Sequence, residues 1–103
     1  MVLWRHRRQR WNERWTPWSQ LFAAQAECIH RHESIRWNEP SLGPDDPGGG
    51  MQFKPPTWIA HGGGRWASSA EFALPHVQIL VAWFTWRDDG DSWQEWSTRY
   101  FCT

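Results

Sequence analysis

Residues 38–50 read NEPSLGPDDPGGG, three prolines and four glycines in thirteen positions. No regular element survives that composition, because proline lacks an amide donor and glycine has the most backbone entropy to lose. The segment therefore divides the chain into two parts joined by a long loop, and loops this long in compact domains are often functional. Neither part alternates polar and apolar residues over any length, and there are no internal repeats. The class expected is mainly α, in one small domain of the 103 residues.

Ahead of the loop, two helices are expected. Trp4, Trp11, Trp15 and Trp18 recur at spacings of seven, four and three, one stripe of a helix with arginines on its other side. Thr16-Pro17 ends this amphipathic helix, assigned to residues 1–16, and can begin the next as N-cap and first helical residue. From Pro17 to about His32 the chain is alanine-rich and free of glycine. Along it Trp18, Phe22, Ala26, Ile29 and Glu33 follow one another at steps of four, four, three and four. An apolar face thus ends in a carboxylate.

After the loop, MQF reads as a short extended or turn segment. PPTW starts a helix with Thr57 and Trp58 in its first turn, and HGGG at 61–64 ends it. A short helix is expected over Ala67–Leu74. Pro75 opens a strongly apolar one, with Val77, Leu80, Val81 and Phe84 as its buried face. RDDGD turns the chain back toward its start.

The eleven tryptophans suit a small core that must bury much area with few residues, and equally stacking on sugar rings or bases. Net charge is zero and the pI is near 7, so the chain as a whole is no polyanion binder. Charge is nonetheless uneven. Five arginines stand against Glu13 within the first fourteen residues, which leaves a nucleic-acid or membrane-surface helix as a minor reading. No stretch reaches the roughly 18 apolar residues of a membrane span. MVLWRHRRQR is basic but leads into WNERW, so no signal peptide is visible.

The segment CIHRHES, 28–34, concentrates the reactive groups. Cys28 and His32 share a helix face with His30 nearby, but zinc needs four ligands, or three and a water. His61 and His76 could join only by assumption, so no metal and no cofactor are expected. A Cys/His nucleophile needs a free thiolate and an orienting group. Cys28 and Cys102 read better as one disulfide, which would imply an oxidising compartment, with two separate buried thiols as the other reading. Glu33 remains. A carboxyl against aromatic rings at the end of an apolar face can stay protonated near neutrality and donate to a glycosidic oxygen. A partly buried glutamate with a purely structural role is the alternative.

Taken in order, Cys28-Ile29-His30, Glu33-Ser34, Gly49-Gly50-Met51-Gln52-Phe53, Thr57-Trp58, Gly62-Gly63, Gln78-Ile79-Leu80-Val81-Ala82, Trp96 and Cys102 resemble the actinobacterial transglycosylase-like domain. That family includes the catalytic domains of resuscitation-promoting factors and is similar in fold to lysozymes. The likeness runs over about residues 18–102 and implies a small lysozyme-like domain, assigned to 17–103, with a cleft for peptidoglycan glycan strands. It implies Glu33 as the catalytic glutamate, Gln52 as a cleft residue with Thr57 and Trp58 beside it, and a Cys28–Cys102 disulfide. Where family members usually carry an aromatic pair before the Gly-Gly, this chain has Asp45-Asp46-Pro47-Gly48. Asp45 or Asp46 is accordingly expected in the cleft as a second carboxylate, with Asp46 as a substrate contact, although a turn explains both acids as well.

The activity so implied is cleavage of the MurNAc-GlcNAc bond with a single glutamate, as a lytic transglycosylase or a muramidase. A non-catalytic glycan-binding module on the same fold is the alternative. The resemblance further implies a monomer in the cell wall or extracellular space, with no nucleic-acid partner.

Overall fold

A computed structural model describes residues 20–103. The proposed N-terminal helix and its tryptophan stripe, with Thr16 and Pro17, lie outside the described residues. Within them the chain is helical over 20–33 (α1), Pro55–Ala60 (α2) and Pro75–Asp88 (α3), with 3-10 turns at Gly63–Arg65, Ala70–Phe72 and Ser97–Phe101. No strand occurs among the described residues, whose one isolated β pairing is the antiparallel bridge between Gly48 and Phe53. The mainly α architecture agrees with the small lysozyme-like domain that the resemblance implies.

α1 places Phe22, Ala26 and Ile29 in the core, each fully buried, as the four-three spacing requires. Glu33 closes that stripe half-buried, and the helix ends there, with the Ser34 amide donating to the His30 carbonyl at 2.8 Å. α2 begins at Pro55, whose missing amide proton costs nothing in a first turn, and is ended by Gly62 at φ 89°.

Two expectations fail. The helix over Ala67–Leu74 shrinks to the three-residue turn Ala70–Phe72, because Ser69 before it is extended and Leu74 is held extended by the proline that follows. On α3 the buried face is Val77, Gln78, Val81, Ala82, Thr85 and Trp86, while Leu80 is only partly buried and Phe84 is exposed. Apolar residues surround this helix, so periodicity alone does not choose its inner face. Polar satisfaction does. Gln78 is fully buried because three backbone groups bond to its amide, and Thr85 because its hydroxyl donates to the Val81 carbonyl at 2.8 Å.

Aromatic packing joins the elements. Phe22 of α1 lies parallel to Trp93 at 5.2 Å and edge-on to Trp83 at 5.0 Å. Trp93 meets Trp96 at 5.4 Å, and Phe53 bridges Trp96 to Trp58. Trp58, Trp86, Trp93 and Trp96 are therefore core residues. Cys28 and Cys102 are joined, their Cα atoms 5.7 Å apart, which excludes two separate thiols. The bond clips the C-terminal turn onto α1 across 74 residues.

Candidate active site

Three segments converge on Glu33. The first is α1 itself, which holds the residue on its last turn. The second is the turn Gly48–Phe53, closed by reciprocal amide bonds of 3.1 and 2.9 Å between its end residues. This turn is bound on every side. The Gly50 amide donates to Gln78 Oε1 at 2.9 Å, and the Gly50 carbonyl accepts from His30 Nδ1 at 2.6 Å, which requires the proton on that nitrogen. Trp96 Nε1 donates to the Met51 carbonyl at 2.7 Å, and the Gly49 amide to the Glu39 carbonyl at 2.8 Å. Gln78 Nε2 spends its two protons on the carbonyls of Trp37 and Ala73.

Glycine is required here by space and conformation. A Cβ on Gly50 would lie 2.4 Å from the Trp37 ring, and Gly49 sits at φ 82° with Gln78 Oε1 only 2.7 Å from where its Cβ would be. The turn delivers Gln52 at φ 52°, a left-handed conformation uncommon for a residue with a side chain. Its Nε2 donates back to the Gly49 carbonyl at 2.8 Å.

The third segment is the C-terminal turn Ser97–Phe101. Its Thr98 hydroxyl donates to Glu33 Oε1 at 3.0 Å, and Phe101 stacks on His32 at 4.9 Å. Burial raises the Glu33 carboxyl above its ordinary range, since a desolvated carboxylate is disfavoured, and the Thr98 bond opposes part of that rise. Glu33 and Gln52 together line two adjoining open hollows. One, of about 410 Å³, also takes Ser34, Ile35, Arg36 and Glu39. The other, of about 390 Å³, runs past Pro47 and Lys54 to Glu95, Trp96 and Arg99. An acid whose charged form is disfavoured by burial, in an open trough with polar side chains to either side, can protonate an extended substrate that lies along it.

The residues expected to surround this site divide. Glu33 and Gln52 are brought together. Trp58 is 1 % exposed and gives its indole proton to the Ala67 carbonyl at 2.9 Å, so the expected substrate contact is a core residue instead. Thr57 is partly exposed on α2 and lines neither hollow. Asp46 also lies outside both hollows, exposed in the loop, with its amide and carbonyl tied to Gly43 and Ser41. Cys28, His32 and Cys102 put ligand atoms within 4.8 Å of one another, but both sulfurs are spent in the disulfide, so neither is a thiolate for a metal or a nucleophile.

Sequence reasoning missed Thr98, Glu39 and Arg99. For Thr98 a signal existed. Glu33 lies five residues after Cys28 and Thr98 four before Cys102, so pairing the cysteines brings the two into reach.

A mainly α domain whose first described helix ends in an acid lining an open cleft is the class this geometry defines. The comparison with known proteins is specific. A transglycosylase-like domain profile matches residues 24–98, and the chain belongs to that family. Over 33 residues, 32% of its length, it is 54% identical to Resuscitation-promoting factor RpfA of Mycobacterium tuberculosis, with the same figures for two strains. The matched stretch spans only 8% of those relatives' length.

Proposed function

We propose that the chain cleaves peptidoglycan glycan strands at the MurNAc-GlcNAc bond, as a lytic transglycosylase with Glu33 as its one catalytic carboxyl. The observation that carries this reading is the half-buried Glu33, raised in pKa, beside Gln52 in an open cleft of a transglycosylase-family chain. Glu33 in its acid form gives its proton to the glycosidic oxygen as the C1–O bond breaks. The substrate's own acetamido oxygen stabilises the cation at C1. The Glu33 carboxylate then takes the proton of the sugar's 6-hydroxyl as that oxygen bonds to C1. Acid is regenerated and no water is consumed. Gln52 is assigned to holding the sugar next to the broken bond. Hydrolysis by an activated water, the muramidase reaction, would use the same acid and a second carboxylate. The acids nearest the cleft are Glu39 and Glu95 rather than Asp46.

The disulfide supports an oxidising, extracellular or cell-wall location. Among the described residues no helix is long and apolar enough to cross a membrane. The exposed Asp45-Asp46 segment, standing where the family resemblance expects aromatic rings, favours as second reading a module that binds glycan without cutting it. Mass spectrometry of purified peptidoglycan digests separates the readings. The 1,6-anhydro ends expected identify a transglycosylase, reducing ends a muramidase, and binding without soluble product a non-catalytic module.

A further inference from the structure

Glu33 and Thr98 stand 65 residues apart in sequence and 3.0 Å apart in space. Three contacts bring the C-terminal turn to the last two turns of α1: Cys102 to Cys28, Phe101 to His32, and Thr98 to Glu33. The turn itself buries no residue, so this clip and the buried Trp96 just before it together decide where the Thr98 hydroxyl lies. A hydroxyl has one proton to give, and a neutral carboxyl has one oxygen that can only accept.

We propose that Thr98 is the positioning residue of the catalytic acid: by donating to Glu33 Oε1 it leaves Oε2 as the oxygen that carries the transferable proton. This inference rests on the reading of Glu33 as the acid. In the acid form Oε1 is the carbonyl oxygen, held by Thr98, and the proton sits on Oε2. When that proton passes to the glycosidic oxygen, the electron pair of the O–H bond stays on Oε2, which then accepts the proton of the 6-hydroxyl. One oxygen both gives and takes, so the carboxyl need not turn over between the two halves of the reaction. The direction of the hydrogen bond agrees, since donation to the carboxylate favours its charged form and offsets part of the rise due to burial.

Other charges face the same acid. Arg36 and Glu39, paired to each other at 3.1 Å, flank it in one hollow, and Lys54, Glu95 and Arg99 in the other. The Arg99 guanidinium is held by the Trp96 carbonyl and the Tyr100 hydroxyl. None of these shares the short contact of Thr98, so a change at Thr98 isolates the hydroxyl.

The test titrates the Glu33 side-chain carboxyl by carbon NMR in the full chain as wild type, Thr98→Val and Thr98→Ser. In parallel, kcat and KM are measured on soluble peptidoglycan oligomers, after mass spectrometry confirms an intact disulfide. Valine keeps the shape and removes the donor. We expect it to move the Glu33 midpoint upward and to lower kcat roughly tenfold to a hundredfold at nearly constant KM, as for a misplaced reacting group. Serine should restore both. A midpoint that stays or falls in Thr98→Val overturns the proposal, because the hydroxyl then accepts from the acid or does not touch it. A rise in KM at constant kcat also overturns it, by making Thr98 a substrate contact. The titration does not depend on turnover: full activity in Glu33→Gln would remove the catalytic reading, and the NMR midpoints would still decide the direction of the hydrogen bond.

Discussion

Two walls enclose Glu33, and they are built on opposite principles. The turn Gly48–Phe53 lies inside the protein: Met51 is fully buried and Phe53 2 % exposed, and neighbours from α1, α3 and the C-terminal segment bond to its backbone. The turn Ser97–Phe101 lies on the surface, with Tyr100 and Phe101 mostly exposed, and beyond the buried Trp96 that leads into it is fixed by one covalent bond, one ring stack and one hydroxyl. The difference is one of cooperativity. The first wall opens only if the core opens, so it is the rigid reference for the cleft. The second can detach without unfolding the rest, because few buried apolar contacts oppose its release.

That contrast can be broken from either side, and the largest effect is expected at the disulfide. The double variant Cys28→Ser/Cys102→Ser frees a loop of 74 residues, which on the chain-entropy model lowers stability by about 4 kcal/mol. Hydrogen exchange at the amides of 98–102 should rise far more than at Gly50 or Gln52. Equal acceleration in both turns would deny that the walls are independent.

A smaller loss is expected at Gln78→Leu, which strands the Gly50 amide and the carbonyls of Trp37 and Ala73. Leaving such groups unpaired costs about 1–3 kcal/mol each where water cannot reach them, so about 3 kcal/mol in all is a fair expectation for denaturant unfolding. Here the glycine turn, not the C-terminal one, should lose protection. Gly50→Ala comes next, at about 2 kcal/mol, because its methyl would overlap the Trp37 ring and force the turn outward.

Least in size but sharpest in sign is the pH dependence at the acid itself. The folded state raises the Glu33 carboxyl above its unfolded value and so binds its proton more tightly. The stability this confers is complete below the ordinary glutamate range and is lost as pH rises through the raised value. At pH 7 the native protein holds a half-buried carboxylate at a cost, and Glu33→Gln should melt higher than the wild type. That gap should close as the pH falls below the usual glutamate range. A Tm difference that does not change with pH would mean that Glu33 is not raised.

How the two walls read in the sequence follows from the same contrast. The glycine turn was legible because local chemistry specifies it: a Gly-Gly ahead of Gln52-Phe53 and a proline-started helix at Pro55 announce a turn and a restart. Glu33 was legible because it continues the Phe22, Ala26, Ile29 stripe. The C-terminal wall was legible only indirectly, through the pairing of Cys28 with Cys102, since Thr98 has meaning only through a contact 65 residues away in sequence. The inner face of α3 was unreadable for another reason: a buried glutamine outranks a partly buried leucine or an exposed phenylalanine only when its partners are in place. Trp58 shows the limit of the resemblance, which placed it beside the cleft whereas the packing of Phe53 makes it core.

The central claim is that Glu33 supplies the proton for cutting the glycan. The most direct measurement is the release of soluble fragments from purified peptidoglycan by the wild type and by Glu33→Gln, with folding of each checked by its cooperative melt. The account predicts cooperative melting of both and a loss of roughly 100-fold or more in the variant, the range removed with a general acid. Undiminished release by a folded Glu33→Gln would contradict it.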